Sequence, residues 1–396
     1  MHEGKLVFAQ LNAHLPRVVF AQCAQRYAGK YPTLSFSYWD QFLCMMFAQL
    51  TSRTGLRDIT ACLRSHSAKL YHAGFRGTIA RSTLADANAR RDSRIFEDFA
   101  LHLIGIAKPL YAKDSLAVEL AQTVYAIDAS TIDLCLSLFA WAPAPQARAG
   151  IKLHTLLDLR GNIPTFIRVT GALVPDASFL DDLPLEAGSF YIMDRGYIHF
   201  ARLIKFTYAA AFFVIRSKHK MHYKVVQSCE LNAAVGVMRD ERILLTGRYT
   251  KVGYPAVLRR IEFFDVKYDR TLIFLTNHFE LQALQIAQLY RSRWQVELFF
   301  KWIKQNLRIK AFVGNSANAV KTQIWVAICS YVLVAIIKKR LKAKASLHTL
   351  LQVLSLSLFE TTPLDQLLCG VSESEDNDAQ SYQNTQIDLF TKISGQ

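Results

Sequence analysis

The chain has 396 residues, enough for a sizeable core and for two or three domains. It carries 47 Lys and Arg against 32 Asp and Glu; five of the acids and one of the bases lie in the last 26 residues, so the other 46 bases and 27 acids give residues 1–370 a net charge of +19. A body this basic favours a polyanionic partner, most commonly nucleic acid, although a generic basic protein has the same charge.

Several classes of protein are disfavoured by composition. The seven cysteines are odd in number, widely spaced and never form CxxC, which argues against a zinc module and for reduced thiols in a cytoplasm. The start MHEGKLVFAQ lacks the apolar run of a signal peptide. The most apolar segment, residues 324–337, is 14 residues long and short of the roughly 20 that a bilayer requires, so we expect a buried helix and no membrane partner.

Residues 1–120 are predicted to be a helical N-terminal DNA-binding region. Apolar positions recur at helical spacing in FSYWDQFLCMMFAQL and RIFEDFALHLIGIA, and no strand pattern interrupts them. Basic residues crowd into the stretch from Arg53 to Arg94. A small helical module with a basic face is suited to reading DNA, while a merely solvated face remains the alternative.

Residues 121–216 change to short β-rich runs and form the first part of the predicted catalytic core. The runs VYAID, KLHTLLDL, IPTFIRVT, FYIMD and AAFFVIRS are separated by tight turns or by two short helix candidates, DASFLDDLPLE and IHFARLIKFTYA. The order β-β-β-α-β-α-β predicts an α/β fold, a mixed sheet with helices packed on it.

The rest of the chain divides into four further segments. Alternating patterns predict a separate all-β insertion over residues 217–276, and residues 277–312 complete the core with one long helix that begins near Leu281. Residues 313–370 read as a C-terminal helical region. The acidic tail, residues 371–396, has few apolar residues and is expected to be disordered.

One face of the predicted long helix carries several polar and charged side chains. At 3.6 residues per turn, one polar stripe is shared by Tyr290, Arg293, Glu297 and Lys304. Trp294 projects near this stripe, and an apolar stripe lies opposite. The simple interpretation is a solvated face on which Arg293 and Glu297 form an i,i+4 ion pair worth about 0.2–0.5 kcal/mol.

Two carboxylates close predicted strands. Asp128 ends VYAID and Asp194 ends FYIMD, although an aspartate at a strand end is usually only a turn former. Together with Glu297 on the long helix, they supply three carboxylates, enough to hold two divalent ions about 3.5–4 Å apart. Asp133 is an alternative to Asp128, but we expect it to lie beyond the strand.

With these residues, the chain resembles the DDE transposases of bacterial insertion sequences, specifically the insertion sequence 4 family. The family signature Y-x2-R-x3-E-x6-K is matched, with every spacing intact, by Tyr290, Arg293, Glu297 and Lys304. The stretch MDRGY, residues 193–197, is similar to the second family motif, D-x-G-[YF], and IDAST, residues 127–131, looks like the first. The β-rich insertion also falls where this family carries one.

The resemblance implies a ribonuclease H-like fold in which Asp128, Asp194 and Glu297 coordinate two magnesium ions, for which manganese can substitute. Tyr290, Arg293 and Lys304 would grip phosphates of the transposon end, and Trp294 would stack on an unpaired base, although a tryptophan on such a helix is more often core.

The implied function is cut-and-paste transposition. Its DNA partners are the terminal inverted repeats and a target, its assembly is a homodimer that pairs two ends, and its intermediate is a hairpin. The family also implies a place in the bacterial cytoplasm, on the nucleoid when bound to DNA. A non-catalytic DNA-binding descendant and a nuclease of the same fold without strand transfer remain the alternatives.

Other polar residues rank lower. Lys152 and His154 on the second predicted strand could face the site, but sheet residues of this kind are more often half-buried. His219 and His222 in SKHKMHYK have metal-ligand spacing but no third ligand nearby, so a basic DNA-contacting entry to the insertion is preferred.

Overall fold

The computed structural model describes residues 4–29, 35–114, 116, 120–135, 137–144, 148–217, 221–229, 236–306 and 312–370. The predicted disordered tail, residues 371–396, lies outside the described residues.

Seven helices form the described N-terminal part: α1 Val7–Asn12, α2 Arg17–Arg26, α3 Tyr38–Leu50, α4 Leu56–Ser65, α5 Ser67–Ala73, α6 Arg81–Arg90 and α7 Arg94–Tyr111. Helix α3 begins with a capping box, in which Ser37 and Asp40 satisfy each other's backbone amides. The prediction of a helical region without strands agrees with these residues. The N-terminal helices are not a separate packing unit, however, because the backbone amides of Val7 and Phe8 donate to carbonyls of Glu360 and Leu358 near the other end of the chain.

Among the described residues, ten strands form one sheet: β1 Val124–Leu134, β2 Pro143–Ala144, β3 Arg148–Asp158, β4 Ile163–Gly171, β5 Phe190–Met193, β6 Phe212–Arg216, β7 Tyr223–Ser228, β8 Val237–Leu245, β9 Leu258–Asp265 and β10 Arg270–Thr276. The core order is β4-β3-β1-β5-β6; β3 is antiparallel to its neighbours β1 and β4, while β5 is parallel to both β1 and β6. This arrangement is ribonuclease H-like, as predicted. The first helix candidate is only a 3-10 turn, Asp176–Asp181, and the second is α8, Phe200–Tyr208.

The β-rich segment corrects one expectation. Strands β7 to β10 are not a separate unit but extend the core sheet, because β10 pairs antiparallel with β6 and is followed by β9, β8 and β7. Pairing satisfies backbone groups on the edge of β6 that would otherwise be exposed. The segment also contains one short helix, α9 Arg248–Gly253, so it is not wholly β.

The predicted long helix is two helices, α10 Ala283–Arg291 and α11 Trp294–Asn306. At the junction, the amide of Arg293 bonds to the carbonyl of Tyr290 in a tighter i→i+3 turn. The hydroxyl of Ser292 donates to the Gln288 carbonyl at 3.3 Å, a back-bond that bends helices. The prediction of one continuous helix was therefore wrong at residues 292 and 293. Residues 307–311 lie outside the described part of the chain.

Three helices end the described chain: α12 Ala317–Leu341, α13 Leu347–Ser357 and α14 Leu364–Cys369. Helix α12 is long and apolar enough to cross a membrane, but 94% of its most apolar window is buried inside the protein. It packs against α3, α6 and α7 from the N-terminal region. The predicted buried helix is confirmed, although it is longer than expected, and its burial is that of a core helix.

Two hydrophobic cores cover the two faces of the sheet. The larger one joins the N-terminal helices, α10 to α14 and the face formed by Val124, Ala126 and Ile192. The smaller one lies on the opposite face, with α8 and the side chains of Ile127 and Met193. Alternation along each strand therefore decides which core a side chain meets.

Candidate active site

Three neighbouring parallel strands, β1, β5 and β6, each have a charged residue directly after the last residue that pairs with the neighbouring strand. Ile127 is paired with Met193, and Met193 is paired with Ile215. The next residue on each strand is Asp128, Asp194 or Arg216. Successive side chains alternate between faces, so all three belong to the face of the larger core, against which α11 packs.

The strand ends differ from the prediction for Asp128. Strand β1 continues to Leu134, and Asp128 lies in its middle, at the point where pairing with β5 ends. Asp133 therefore lies within β1, paired with Gly150, and not beyond it. The two aspartates are five positions apart, an odd number, so they face opposite sides of the sheet.

Side chains from α10 and the α10–α11 turn contact both aspartates. The hydroxyl of Tyr290 donates to Asp194 Oδ1 at 3.1 Å. The guanidinium of Arg293 reaches Asp128 Oδ2 at 3.5 Å through Nη1 and Glu297 Oε1 at 2.6 Å through Nη2. The predicted i,i+4 ion pair is thus present, but it also touches a carboxylate 165 residues away in the chain. The polar stripe is therefore not only a solvated helix face.

Several acidic side chains lie near the single guanidinium of Arg293, and burial and these neighbours shift the pKa values of the site. Burial raises the pKa of Asp128 from 3.8 to about 6, and Glu297 and Asp194 add to the rise, while Arg293 and the Ala129 amide oppose it. Burial opposes the charge on Arg293, but Tyr290, Glu297, Asp128 and Asp194 together raise its pKa above the usual range. The side chain of Arg293 is only 18% exposed, but the acidic groups around it keep it charged inside the site.

Tyr290 is held as a hydrogen-bond donor. It is buried, with its ring 4.8 Å from that of Phe274 and the Arg293 guanidinium 5.8 Å from its centroid. Burial raises the pKa of Tyr290 to about 12, an effect to which the Asp194 carboxylate also contributes. The phenol is therefore protonated at neutral pH and fixes the orientation of Asp194.

The other two predicted DNA-binding residues have different surroundings. Lys304 Nζ donates to the carbonyl of Thr131, on the part of β1 that continues past Asp128, at 2.7 Å. Trp294 is half-buried and lines a cleft of about 680 Å³ with Gln295, Leu298 and the β3–β4 turn. The structure thus brings Tyr290 and Arg293 into contact with the aspartates, and Glu297 into contact with Arg293. Lys304 bonds to β1 three residues past Asp128, and the cleft beside Trp294 is lined by neither of these aspartates nor by Glu297.

Some weaker candidates fall elsewhere. Lys152 and His154 belong to the opposite face of β3: Lys152 donates to Asp176 at 2.8 Å, and His154 stacks on Phe179 of the smaller core. Burial lowers the pKa of His154 to about 4, so this imidazole is neutral. Of the histidine pair, His219 lies outside the described residues.

Two residues in the site were missed by the sequence reasoning. Arg216 closes FFVIR as the aspartates close their predicted strands, so the same signal could have found it. Thr155 is paired directly with Asp128, and its buried hydroxyl has no hydrogen-bond partner among the described residues. No local pattern marks Thr155, because its role in the site depends on the register between β1 and β3.

The donor set fits a hard divalent cation in chemistry. Carboxylate oxygens are the ligands that Mg²⁺ prefers. The pKa of Asp128 is raised first by burial, and the nearby Glu297 and Asp194 carboxylates add to the rise. Within the described ranges, however, no three acidic, histidine or cysteine side chains lie close enough to hold one ion. The Arg293 guanidinium contacts both Asp128 and Glu297 in this arrangement.

Family comparisons agree with the site's position in the chain. Residues 119–333 match the model of the transposase DDE domain, and residues 3–76 match a domain of unknown function, DUF4372. A piggyBac transposase synaptic complex with hairpin DNA overlaps at a TM-score of 0.45 and 10% identity, over 96% of this chain and 83% of that one, an overlap too loose to match individual residues.

Curated relatives are transposases. The putative transposase y4zB of Sinorhizobium fredii is 36% identical over 64% of this chain and 70% of its own length. The probable transposase for insertion sequence element IS5377 of Geobacillus stearothermophilus is 31% identical over 52% of this chain and 54% of its own. The putative transposase for insertion sequence element IS4SA of Synechocystis is 21% identical over 80% of this chain and 88% of its own length. The DDE domain spans more than half of the chain, and this protein belongs to the DDE transposases, of the insertion sequence 4 type.

Proposed function

We propose that this protein catalyses cut-and-paste transposition of an insertion sequence. The observation that supports the proposal is the set of contacts that Arg293 makes with Asp128 and Glu297 and that Tyr290 makes with Asp194. These contacts connect acids from two parallel strands and one helix. Water would hydrolyse one phosphodiester bond at the transposon end and leave a free 3′-hydroxyl. That hydroxyl would then attack a phosphodiester of the opposite strand or of target DNA.

The three acids would hold the two magnesium ions of the reaction. When bound, the ions supply positive charge that activates the attacking oxygen and stabilises the leaving one. Arg293 would give up at least one of its two carboxylate contacts on loading. Its guanidinium, freed from Glu297 or Asp128, would then be available to a DNA phosphate, which Arg binds in a bidentate manner.

The remaining site residues would bind the DNA end. Tyr290 would orient Asp194, and Lys304 would meet the phosphate backbone beyond β1. Trp294, beside the cleft, would stack on an unpaired base at the cleavage point. The partners would be duplex DNA with terminal inverted repeats and target DNA, held by a homodimer in the bacterial cytoplasm.

A joining assay tests this function. Full-length protein is incubated, with Mg²⁺ and a supercoiled target plasmid, with linear DNA carrying the gene and its flanking sequences. Excision together with joined products supports the proposal. Cleavage without joining would identify a nuclease, and binding without cleavage would identify a non-catalytic DNA-binding protein.

Lys304→Ala is expected to weaken binding to the transposon end several-fold at about 0.1 M salt. The number of counterions released on binding, read from the salt dependence of the binding constant, should fall by about one, since one phosphate contact is lost. Its hydrogen bond to Thr131 is on the surface, so the free energy of unfolding should fall by about 1 kcal/mol or less. Anisotropy titrations and melting curves measure both. Lys344→Ala, an exposed lysine after α12, is the matched control. A large drop in melting temperature with normal binding would make Lys304 structural.

Arg216→Ala is expected to slow end cleavage on the order of a hundredfold, because it removes a cation beside Asp194 where the scissile phosphate would lie. Arg216→Lys keeps the charge and should recover part of the rate. Single-turnover cleavage with saturating protein separates this effect from weaker binding. Normal cleavage by Arg216→Ala would exclude it from the reaction.

A further inference from the structure

Helix α6 has a rigid inner side and a polar outer side. Leu84, Ala87 and Asn88 are buried where α6 packs against α3, α4 and α12. The exposed residues are Arg81, Ser82, Thr83, Asp86, Ala89 and Arg90. Between the two arginines every exposed side chain is short, which allows a helix backbone to approach another surface closely.

Buried hydrogen bonds fix the position of α6. Gln41 of α3 donates to Asn88 Oδ1 at 2.8 Å, with both side chains buried. Asn318, at the start of α12, donates to the carbonyls of Asn88 and Arg91 and accepts from the Ser93 amide at 3.0 Å. Polar contacts of this kind set an orientation more strictly than apolar packing does, and sites that recognise a ligand need such support.

Basic residues surround this face. Five exposed arginines of the region form no ion pair within the described residues: Arg57, Arg64, Arg76, Arg81 and Arg90. Arg57 and Arg64 are seven residues apart and therefore share one face of α4, the helix that contacts α6. The charge of the region is complementary to a phosphate backbone.

One carboxylate interrupts the basic surface. Asp86 is exposed, and no ion pair to Arg90, one turn away, is formed. A carboxylate facing phosphates is unfavourable, but in the major groove it accepts a hydrogen bond from the amino group of cytosine. Asp86 therefore has the chemistry to read a base, which a purely phosphate-binding face would not need.

Contacts also connect α6 with the candidate active site. Lys304 of α11 bonds to Thr131, the Trp141 indole donates to the Asn315 carbonyl at 2.7 Å, and Asn318 bonds to the end of α6. These contacts run from the continuation of β1 through the segment before α12 to the C-terminal end of α6. This row of contacts connects the helix that would hold the DNA end to the candidate active site.

We infer that α6 enters the major groove of the transposon end and reads its sequence, with Thr83 and Asp86 contacting bases and Arg81 and Arg90 contacting phosphates. The ten-residue helix is about 15 Å long, enough to reach about four base pairs. This inference rests on the proposed function, because it assigns the specific part of end binding to one helix.

The test is a selection from duplexes with a random 20-base-pair centre, using full-length protein and sequencing the bound fraction. Wild type should enrich a motif. In Asp86→Ala, the preference for one C·G pair in the motif should fall by about tenfold. In Thr83→Ala, the base preference at a neighbouring position of the motif should become weaker. Arg90→Ala should weaken binding to all duplexes and lower the slope of the logarithm of the binding constant against the logarithm of the salt concentration by about one. Asp365→Ala and Lys344→Ala, exposed residues near the C-terminal end, are the controls and should leave the motif unchanged.

Melting curves should be unaltered in these variants, because the changed side chains are exposed. A wild-type motif that survives both Thr83→Ala and Asp86→Ala, or no motif at all, overturns the inference. End cleavage measured in parallel separates the two proposals. An unchanged motif with normal cleavage removes only the role of α6, whereas altered motifs with no cleavage by wild type leave α6 as the reader and remove the proposed reaction.

Discussion

Glu297→Gln is expected to lower the rate of end cleavage about a thousandfold or more, while DNA binding stays close to that of wild type. The amide keeps the shape of the side chain but removes the charge that would hold a metal ion. Loss of metal-stabilised charge costs several kcal/mol in the transition state, and each 1.36 kcal/mol is tenfold in rate. Asp128→Asn and Asp194→Asn should be similarly inactive.

The simple ion-pair interpretation predicts a different result. Glu297 contacts Arg293 at 2.6 Å, with side chains 30% and 18% exposed. If this pair were its only role, the change would cost about 1 kcal/mol or less of folding stability and leave cleavage nearly normal. Glu280→Gln, an exposed glutamate before α10, controls for a general effect of lost charge. Cleavage above about a tenth of the wild-type rate, with both aspartate variants inactive, would falsify the assignment of Glu297.

Asp240→Asn is expected to reduce the free energy of unfolding by about 3–5 kcal/mol, the usual cost of leaving a buried charge without its partner. Asp240 and Arg259 are 8% and 7% exposed and pair through two contacts, of 2.9 and 2.7 Å. Arg259 also donates to the carbonyl of Leu281 at 2.6 Å, just before the helix that carries Tyr290. The pair therefore ties the β-rich segment to the candidate active site.

Urea unfolding measures the change, and Asp58→Asn is the control, since the Arg53–Asp58 pair is 38% and 39% exposed and should contribute about 0–1 kcal/mol. We also expect slower end cleavage by Asp240→Asn, because α10 loses an anchor for its start. Equal stability of the two variants would mean that the carbonyls around Arg259 satisfy its charge without Asp240.

Much of the site could be predicted because its signals are local. Tyr290, Arg293, Glu297 and Lys304 are spaced so that they share one face of a helix, and this spacing can be read from one short segment of the chain. Strand patterns that end in aspartate can likewise be recognised in the sequence without knowledge of the fold. Tyr290 and Arg293 do contact the two aspartates, Glu297 contacts Arg293, and Lys304 bonds to β1. Their catalytic and DNA-binding roles remain predictions that the variants above address.

By itself, the sequence determined the type of each main element, the order of the core strands along the chain and the family. Only the tertiary structure decided that β10 joins β6, that the helix breaks at Ser292, that Arg216 stands beside Asp194, and that Asp133 faces away from Asp128. The reason is that periodicity and turn residues act over a few positions. Strand pairing and register depend instead on which distant segments share a core, and a shift of one residue moves every side chain to the other face.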